Sequence, residues 1–194
     1  LFLFANSFAQ PGAALNFDGT NDNISVTPGF AATDEITIEA WVNVASFGTP
    51  YRAIFMHDTW TTGAIHFTFD NTGLLFALNG ATDYYSGYTF TTNTWYHVAV
   101  TYSKNLGEIK FYVNGNPENS FTGVNPVTIN GGQAYHIGSW NAARYYQGDM
   151  DEVRIWNIVR SPAQILATKD CEIPASASGL VVNYHFNHGV AGAN

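Results

Sequence analysis

The stretch Gly148-Asp-Met-Asp-Glu-Val-Arg-Ile-Trp-Asn157 crowds three carboxylates and an arginine into positions 149–154, in a chain where only 11% of residues are charged. Paired carboxylates can cleave a glycosidic bond: one protonates the leaving oxygen while the other attacks, and in retaining enzymes they stand about 5 Å apart. Glycosidases built on β-sandwiches take such residues from one strand face, at i and i+2, with a third at i+4 or, across a bulge, at i+5. Asp149 and Asp151 fit the first pair. The third place falls to Val153 or Arg154, neither an acid, so no catalytic residue is assigned. Nucleophilic catalysis has no better footing. The single cysteine, Cys171, lies near the C-terminus, and no Gly-x-Ser-x-Gly elbow occurs.

A divalent cation is the second chemistry these acids could serve. Calcium takes six to eight oxygens from carboxylates, amides, backbone carbonyls and water. The turn Asp18-Gly-Thr-Asn-Asp-Asn23 can supply several of them, through Asp18, Gly19, Asn21 and Asp22. The same residues also suit an ordinary turn in which Asp18 and Asp22 accept hydrogen bonds from their own backbone. Zinc is not indicated: of the six histidines only His185 and His188 have tight ligand spacing, and His97 and His136 alternate with core residues as structural histidines do.

Sugar recognition requires flat aromatic faces for the apolar side of the ring, flanked by amides, carboxylates and hydroxyls, on loops or an open sheet. Two clusters qualify, Asp83-Tyr84-Tyr85-Ser-Gly-Tyr88 and Trp140-Asn141-Ala-Ala-Arg144-Tyr145-Tyr146-Gln147, with Trp60 in a turn-like segment as a third candidate. The alternative is that these aromatics cap the ends of the fold or pack on a neighbouring module. Trp41, Trp95 and Trp156 fall inside alternating runs and read as core or sheet-packing residues.

The elements that must hold these residues are strands. Period-two alternation of apolar and polar residues recurs at Ile36–Val44, Ala64–Asp70, Leu74–Leu78, Trp95–Tyr102, Glu108–Val113 and Ala134–Gly138. Turns such as Asp18-Gly19, Asn79-Gly80 and Asn114-Gly115 separate them, because Asn or Asp before Gly tolerates the positive φ of a tight hairpin. Aromatics at 15% and 18 glycines fit packed sheets, so the expected fold is all-β: a two-sheet antiparallel sandwich with one short helix. That helix starts at Ser161-Pro-Ala-Gln164, a capping box with proline in its first turn, and is expected to cover one end of the sandwich. Residues 1–9 read as the end of a signal peptide, 10–168 as one domain, and 169–194 as a final strand and polar tail leading to a further region. With 7 Lys and Arg against 15 Asp and Glu, the net charge of −8 excludes the basic clusters that nucleic acid or an anionic membrane surface requires. No run approaches the roughly 20 apolar residues of a membrane span.

Five ordered segments resemble one known family. Phe17-Asp-Gly-Thr-Asn-Asp-Asn-Ile-Ser-Val26, Ile36-Thr-Ile-Glu-Ala-Trp-Val42, Trp95-Tyr-His-Val-Ala-Val-Thr-Tyr102, Ile109-Lys-Phe-Tyr-Val-Asn-Gly115 and Gly148–Asn157 with Ser161–Ile165 are similar to the motifs of laminin-G-like, concanavalin A-like jelly-roll domains. Residues 179–187 resemble a segment that follows such domains in large secreted or surface proteins of bacteria. The resemblance implies a curved antiparallel jelly roll. It also implies one structural Ca²⁺ tying the Asp18–Asp22 loop to Asp151. Family functions range from glycan binding and adhesion to noncatalytic modules of polysaccharide-degrading proteins, so the fold alone fixes no activity. The expectation is a secreted or cell-surface, noncatalytic, calcium-stabilised module that binds polysaccharide or cell-surface glycan. A structural spacer that contacts neighbouring domains, or a glycosidase or lyase, are the alternatives.

Overall fold

The computed structural model describes residues 13–48, 51–79, 81–132 and 134–187. The proposed signal-peptide remnant at 1–9 lies outside the described residues, as do residues 188–194 of the tail. In chain order the strands are β1 (Leu15–Asp18), β2 (Ile24–Val26), β3 (Ala32–Thr33), β4 (Glu35–Val44), β5 (Arg52–His57), β6 (Ile65–Phe69), β7 (Leu74–Leu78) and β8 (Asp83–Tyr85). They continue with β9 (Trp95–Ser103), β10 (Glu108–Val113), β11 (Asn116–Thr122), β12 (Ile129–Asn130), β13 (Tyr135–Ile137) and β14 (Gln147–Trp156). Helix α1 (Pro162–Thr168) and strand β15 (Leu180–Tyr184) follow.

The strands form the antiparallel sandwich that the alternation predicts. One sheet runs β1-β14-β4-β9-β10-β11, with β15 also paired to β14; the other runs β2-β13-β5-β6-β7-β8. Inward-facing residues of both sheets make one core: Ile36, Ile38, Ala40, Val42, Val98, Val100, Ile109 and Phe111 meet Phe55, Phe67, Phe69, Phe76 and Ile137. Each β-strand places alternate residues on opposite faces, so fixing these inward fixes their neighbours outward. Asn114 and Gly115 have φ of 51° and 79°, the left-handed pair of the β10–β11 hairpin.

Helix α1 begins as its sequence predicts, with Ser161 accepting from the Gln164 amide and the Gln164 side chain accepting from the Ser161 amide. Its position differs from expectation. Ile165 packs on Ala99 and Tyr112, so the helix lies on the outer face of the larger sheet rather than across an end of the sandwich. Beneath this cover the Glu39 carboxylate is buried and ion-paired with Arg160, whose guanidinium also lies over the Trp156 ring.

The opening stretch becomes β14, the strand shared by β1 on its first half and β15 on its second. Between Asp151 and Arg154 its register against β4 shifts, a β-bulge that holds Glu152 at φ 50°. Arg154 ion-pairs with Glu152 and donates to the Thr168 carbonyl, and His185 Nδ1 donates to Glu152 at 2.9 Å. Asp151, Glu152 and Arg154 are buried while Asp149 is half-buried, so this part of the stretch is not a solvated face.

Candidate functional site

The outer face of the six-stranded sheet carries a row of directly paired residues: His136 on β13, Met56 on β5, His66 on β6, Ala77 on β7 and Asp83 on β8. The small Ala77 and neighbouring Leu75 keep the middle of this face low, and the loops at its margin rise above it. His66, Leu75, Ala77 and Asp83 floor a cavity of ≈ 320 Å³ walled by Tyr51, Trp60, Trp140 and Arg144. That is the lower end of the volume range of small-ligand sites.

Three rings line it in sequence. Trp60 packs on His66 with centroids 4.4 Å apart, and His66 meets Trp140 at 5.4 Å. Trp60 nonetheless stays 47% exposed, so much of its surface is open to solvent. His66 Nε2 donates to the His57 carbonyl at 3.2 Å. Burial, followed by the charge of Arg144, pushes its pKa down to about 3 and keeps the imidazole neutral. The Arg144 guanidinium lies over the faces of both Tyr51, at 4.1 Å, and Trp140, at 4.2 Å.

A strained turn sets this wall. Trp140 and Ala143 exchange both backbone hydrogen bonds at 2.8 Å, enclosing Asn141 and Ala142 with φ of 47° and 52°. This is a two-residue hairpin in the left-handed region, where Ala is disfavoured by about 1 kcal/mol or more. Arg144 adds a third positive φ, 51°. Gly138 enters the loop at φ 84°, and a Cβ there would lie 2.2 Å from the Phe17 ring. Non-glycine residues held in this region cluster at ligand sites, where the fold sustains the strain.

Of the residues chosen from sequence for sugar contact, Trp60, Asp83, Trp140 and Arg144 converge on this cavity. The others do not. Tyr146 is fully buried, with its ring edge-on to Phe17 at 5.7 Å, because it sits in the alternating run that leads into β14. Tyr84 turns inward onto Phe121, since Asp83–Tyr85 is an edge strand rather than a loop and successive side chains alternate. Tyr85 faces outward and donates its hydroxyl to Asp70 at 3.2 Å. Tyr88 packs on Phe90 and Tyr96. Tyr145 is half-buried, and its carbonyl accepts from Arg52. Asn141 is exposed at the turn, with its amide donating to Asp58. Tyr51, His66, Leu75 and Ala77 were not singled out from sequence; the alternation of 65–69 and 74–78 already placed His66 and Ala77 on the polar-facing side.

The structure places the Asp18–Asp22 turn and Asp151, the two ends of the expected calcium clasp, at separate positions along β14. Asp18 accepts from the Thr20 amide at 2.7 Å, and Asp22 accepts from the Asp18 amide at 2.7 Å, which is turn chemistry. Gly19 and Asn21 lie in the same turn. On β14, Asp18 pairs with Gln147, four positions from Asp151, or about 13 Å along a strand. Asp151 is 2% exposed, and its Oδ1 accepts from the Glu152 amide at 2.8 Å. Burial pushes its pKa up to about 7; the hydrogen bond from the Glu152 amide opposes this, the Glu152 charge adds to it, and Arg154 and His185 oppose it. Among the described residues no cluster of His, Cys, Asp or Glu is arranged to hold a metal ion. The second acid of the glycosidase pair, Asp149, is held by Asn16 at 2.7 Å and Asn43 at 3.3 Å, and its partner Asp151 cannot reach a polysaccharide.

The model of a laminin G family described as concanavalin A-like lectin/glucanases superfamily matches residues 18–166. The chain belongs to this laminin-G-like family. Among curated relatives, the laminin-G-like domain is 27% identical over 177 residues to mouse (Mus musculus) "Sushi, von Willebrand factor type A, EGF and pentraxin domain-containing protein 1". That match covers 81% of this chain and 5% of the relative's length. Among solved structures, a Bacteroides ovatus protein proposed to bind carbohydrate superposes with a TM-score of 0.68 at 23% identity, over 89% of this chain and 50% of that one. Domain 4 of the extracellular arabinanase AbnA of Geobacillus stearothermophilus, solved with arabinotriose, superposes with a TM-score of 0.67 at 21% identity, over 86% and 81%. These likenesses bear out the jelly-roll sandwich. Among the described residues no helix is long and apolar enough to cross a membrane.

Proposed function

We propose that this laminin-G-like domain is a noncatalytic glycan-binding module of a secreted or cell-surface protein, and that it binds polysaccharide or cell-surface glycan in the cavity on its six-stranded sheet. The observation that carries the reading is the convergence of Trp60, His66 and Trp140 with Arg144 and Asp83 around one open cavity. The exposed Trp60 ring offers an apolar face to the C–H side of a sugar, while Asp83 accepts its hydroxyls. The solved domain with arabinotriose and the Bacteroides protein support sugar binding on this kind of scaffold. The seal over Asp151 supports binding without hydrolysis.

A glycan array of plant and algal polysaccharides, probed with the wild type and with Trp60→Ala, tests this. Binding that Trp60→Ala weakens without loss of fold is expected. No binding by the wild type would sink the reading in favour of a structural spacer, for which the aromatics serve contact with neighbouring domains.

A further inference from the structure

Arg144 is an unusual cation in a chain of net charge −8. Its guanidinium is partly buried, and among the described residues no ion pair or side-chain hydrogen bond engages it. Asp83 shares the cavity lining yet forms no ion pair with it, and the rings of Tyr51 and Trp140 occupy its π surface. Stacking uses the faces of a guanidinium and leaves its in-plane N–H edge free, which is the edge that binds a carboxylate through two parallel hydrogen bonds. Burial lowers the Arg144 pKa, and the charges of Tyr51 and Asp83 offset that only in part, since among the described residues no carboxylate pairs with the guanidinium directly. The other cavity polar groups do not substitute for one: His66 is neutral and spends its Nε2 proton on the His57 carbonyl.

We infer that the cavity selects an acidic sugar, a hexuronate residue whose carboxylate seats on the free edge of Arg144 while its ring lies against Trp60. This rests on the glycan-binding reading and sharpens it from sugar in general to uronate-containing polysaccharide. Carboxylate and sulfate oxygens both accept two parallel bonds from such a fork, so a sulfated probe separates the two acids. Asp83 then serves as a hydroxyl acceptor, and its negative charge disfavours a second acid group at its own end of the cavity.

The test is isothermal titration of the whole chain with hexuronate oligosaccharides, namely oligogalacturonate and oligoalginate. Each is compared with its carboxyl-reduced neutral counterpart of the same linkage and length, and with a sulfated galactan oligosaccharide. At least tenfold tighter binding of a uronate than of its reduced counterpart and of the sulfated probe is expected. Arg144→Gln should abolish that preference, and Arg144→Lys, which keeps the charge but not the fork, should lose most of it. Trp60→Ala should weaken uronate and neutral ligand by similar factors. Equal binding of uronate and reduced ligand by the wild type overturns the inference while leaving the glycan site standing. So does a sulfated probe that matches the uronates, or a uronate preference that survives Arg144→Gln. No binding of any probe overturns both. The wild-type comparison needs no variant, so it stands even if a substitution at Arg144 disturbs the strained turn.

Discussion

Asp151→Asn should stabilise this protein at alkaline pH and leave it nearly unchanged in acid. The carboxyl is sealed in β14, with a pKa near 7 in the folded chain against 3.8 when unfolded. Below pH 3.8 both states hold the proton and the group is neutral in the balance. Between 3.8 and about 7 the unfolded chain ionises while the folded one stays protonated, so stability falls with rising pH. A gap of roughly three pH units at about 1.4 kcal/mol each sets an upper limit near 4 kcal/mol, fully expressed above pH 7. Asparagine keeps an oxygen for the Glu152 amide and removes the ionisation, at the cost of an amide group that must find a partner. The expected readout is therefore a difference: urea unfolding of wild type and variant at pH 4 and pH 8, with the variant gaining about 2–4 kcal/mol relative to wild type between the two. A gap that does not widen with pH, or a variant less stable at pH 8, would refute the buried-acid reasoning. A chelator-sensitive melting temperature lost alike in Asp18→Asn and Asp151→Asn would restore the calcium clasp instead.

His66 titrates in the opposite sense. Its folded pKa, about 3, lies below the unfolded value of 6.5, so its contribution is complete above pH 6.5 and is lost as pH falls toward 3, by about 1.4 kcal/mol per unit at most. In the Asp151→Asn background this loss is no longer offset, and the free energy of unfolding should drop more steeply between pH 6.5 and 4 than in wild type; a flat profile would contradict it. Trp60→Ala removes an exposed ring. Taking 47% of roughly 250 Å² as coverable surface, at about 25 cal/mol per Å², gives at most about 3 kcal/mol of glycan binding, so a 10- to 100-fold loss of affinity with little change in melting temperature is expected. Ala142→Gly should raise stability by up to about 1 kcal/mol, since φ 52° costs glycine nothing, while weakening glycan affinity as the Trp140 wall loosens; calorimetry and titration on the same sample separate the two effects.

The sandwich was legible because its signal is local. A strand with a polar face writes its alternation into consecutive residues, and Asn114-Gly115 or Ser161-Pro-Ala-Gln164 carry their backbone angles and caps within four positions. Where tertiary contact overrides that local code, sequence reasoning missed. Tyr84, Tyr85 and Tyr146 looked like one kind of loop aromatic, yet one packs inward, one faces out, and one is core, because their orientation follows from the strands they join. Helix α1 could be capped from sequence but not docked, since nothing local says that Ile165 meets Ala99 and Tyr112.

The composition and pattern of the chain thus determine an acidic all-β sandwich, its hairpins, its helix cap and a stock of turn and edge aromatics. Only the tertiary structure decides which of those aromatics meet. The register across β5, β6, β7 and β8 sets His66, Ala77 and Asp83 in one row, while the strained Asn141-Ala142 turn brings Trp140 and Arg144 over it from more than fifty residues away. The same register separates Asp18 from Asp151 and seals the acidic stretch under β15 and the chain that follows α1. Charge density along a sequence says nothing of burial: tertiary packing buries Asp151, Glu152 and Arg154 and leaves Arg144 stacked on Tyr51 and Trp140 at the cavity, with no ion pair among the described residues.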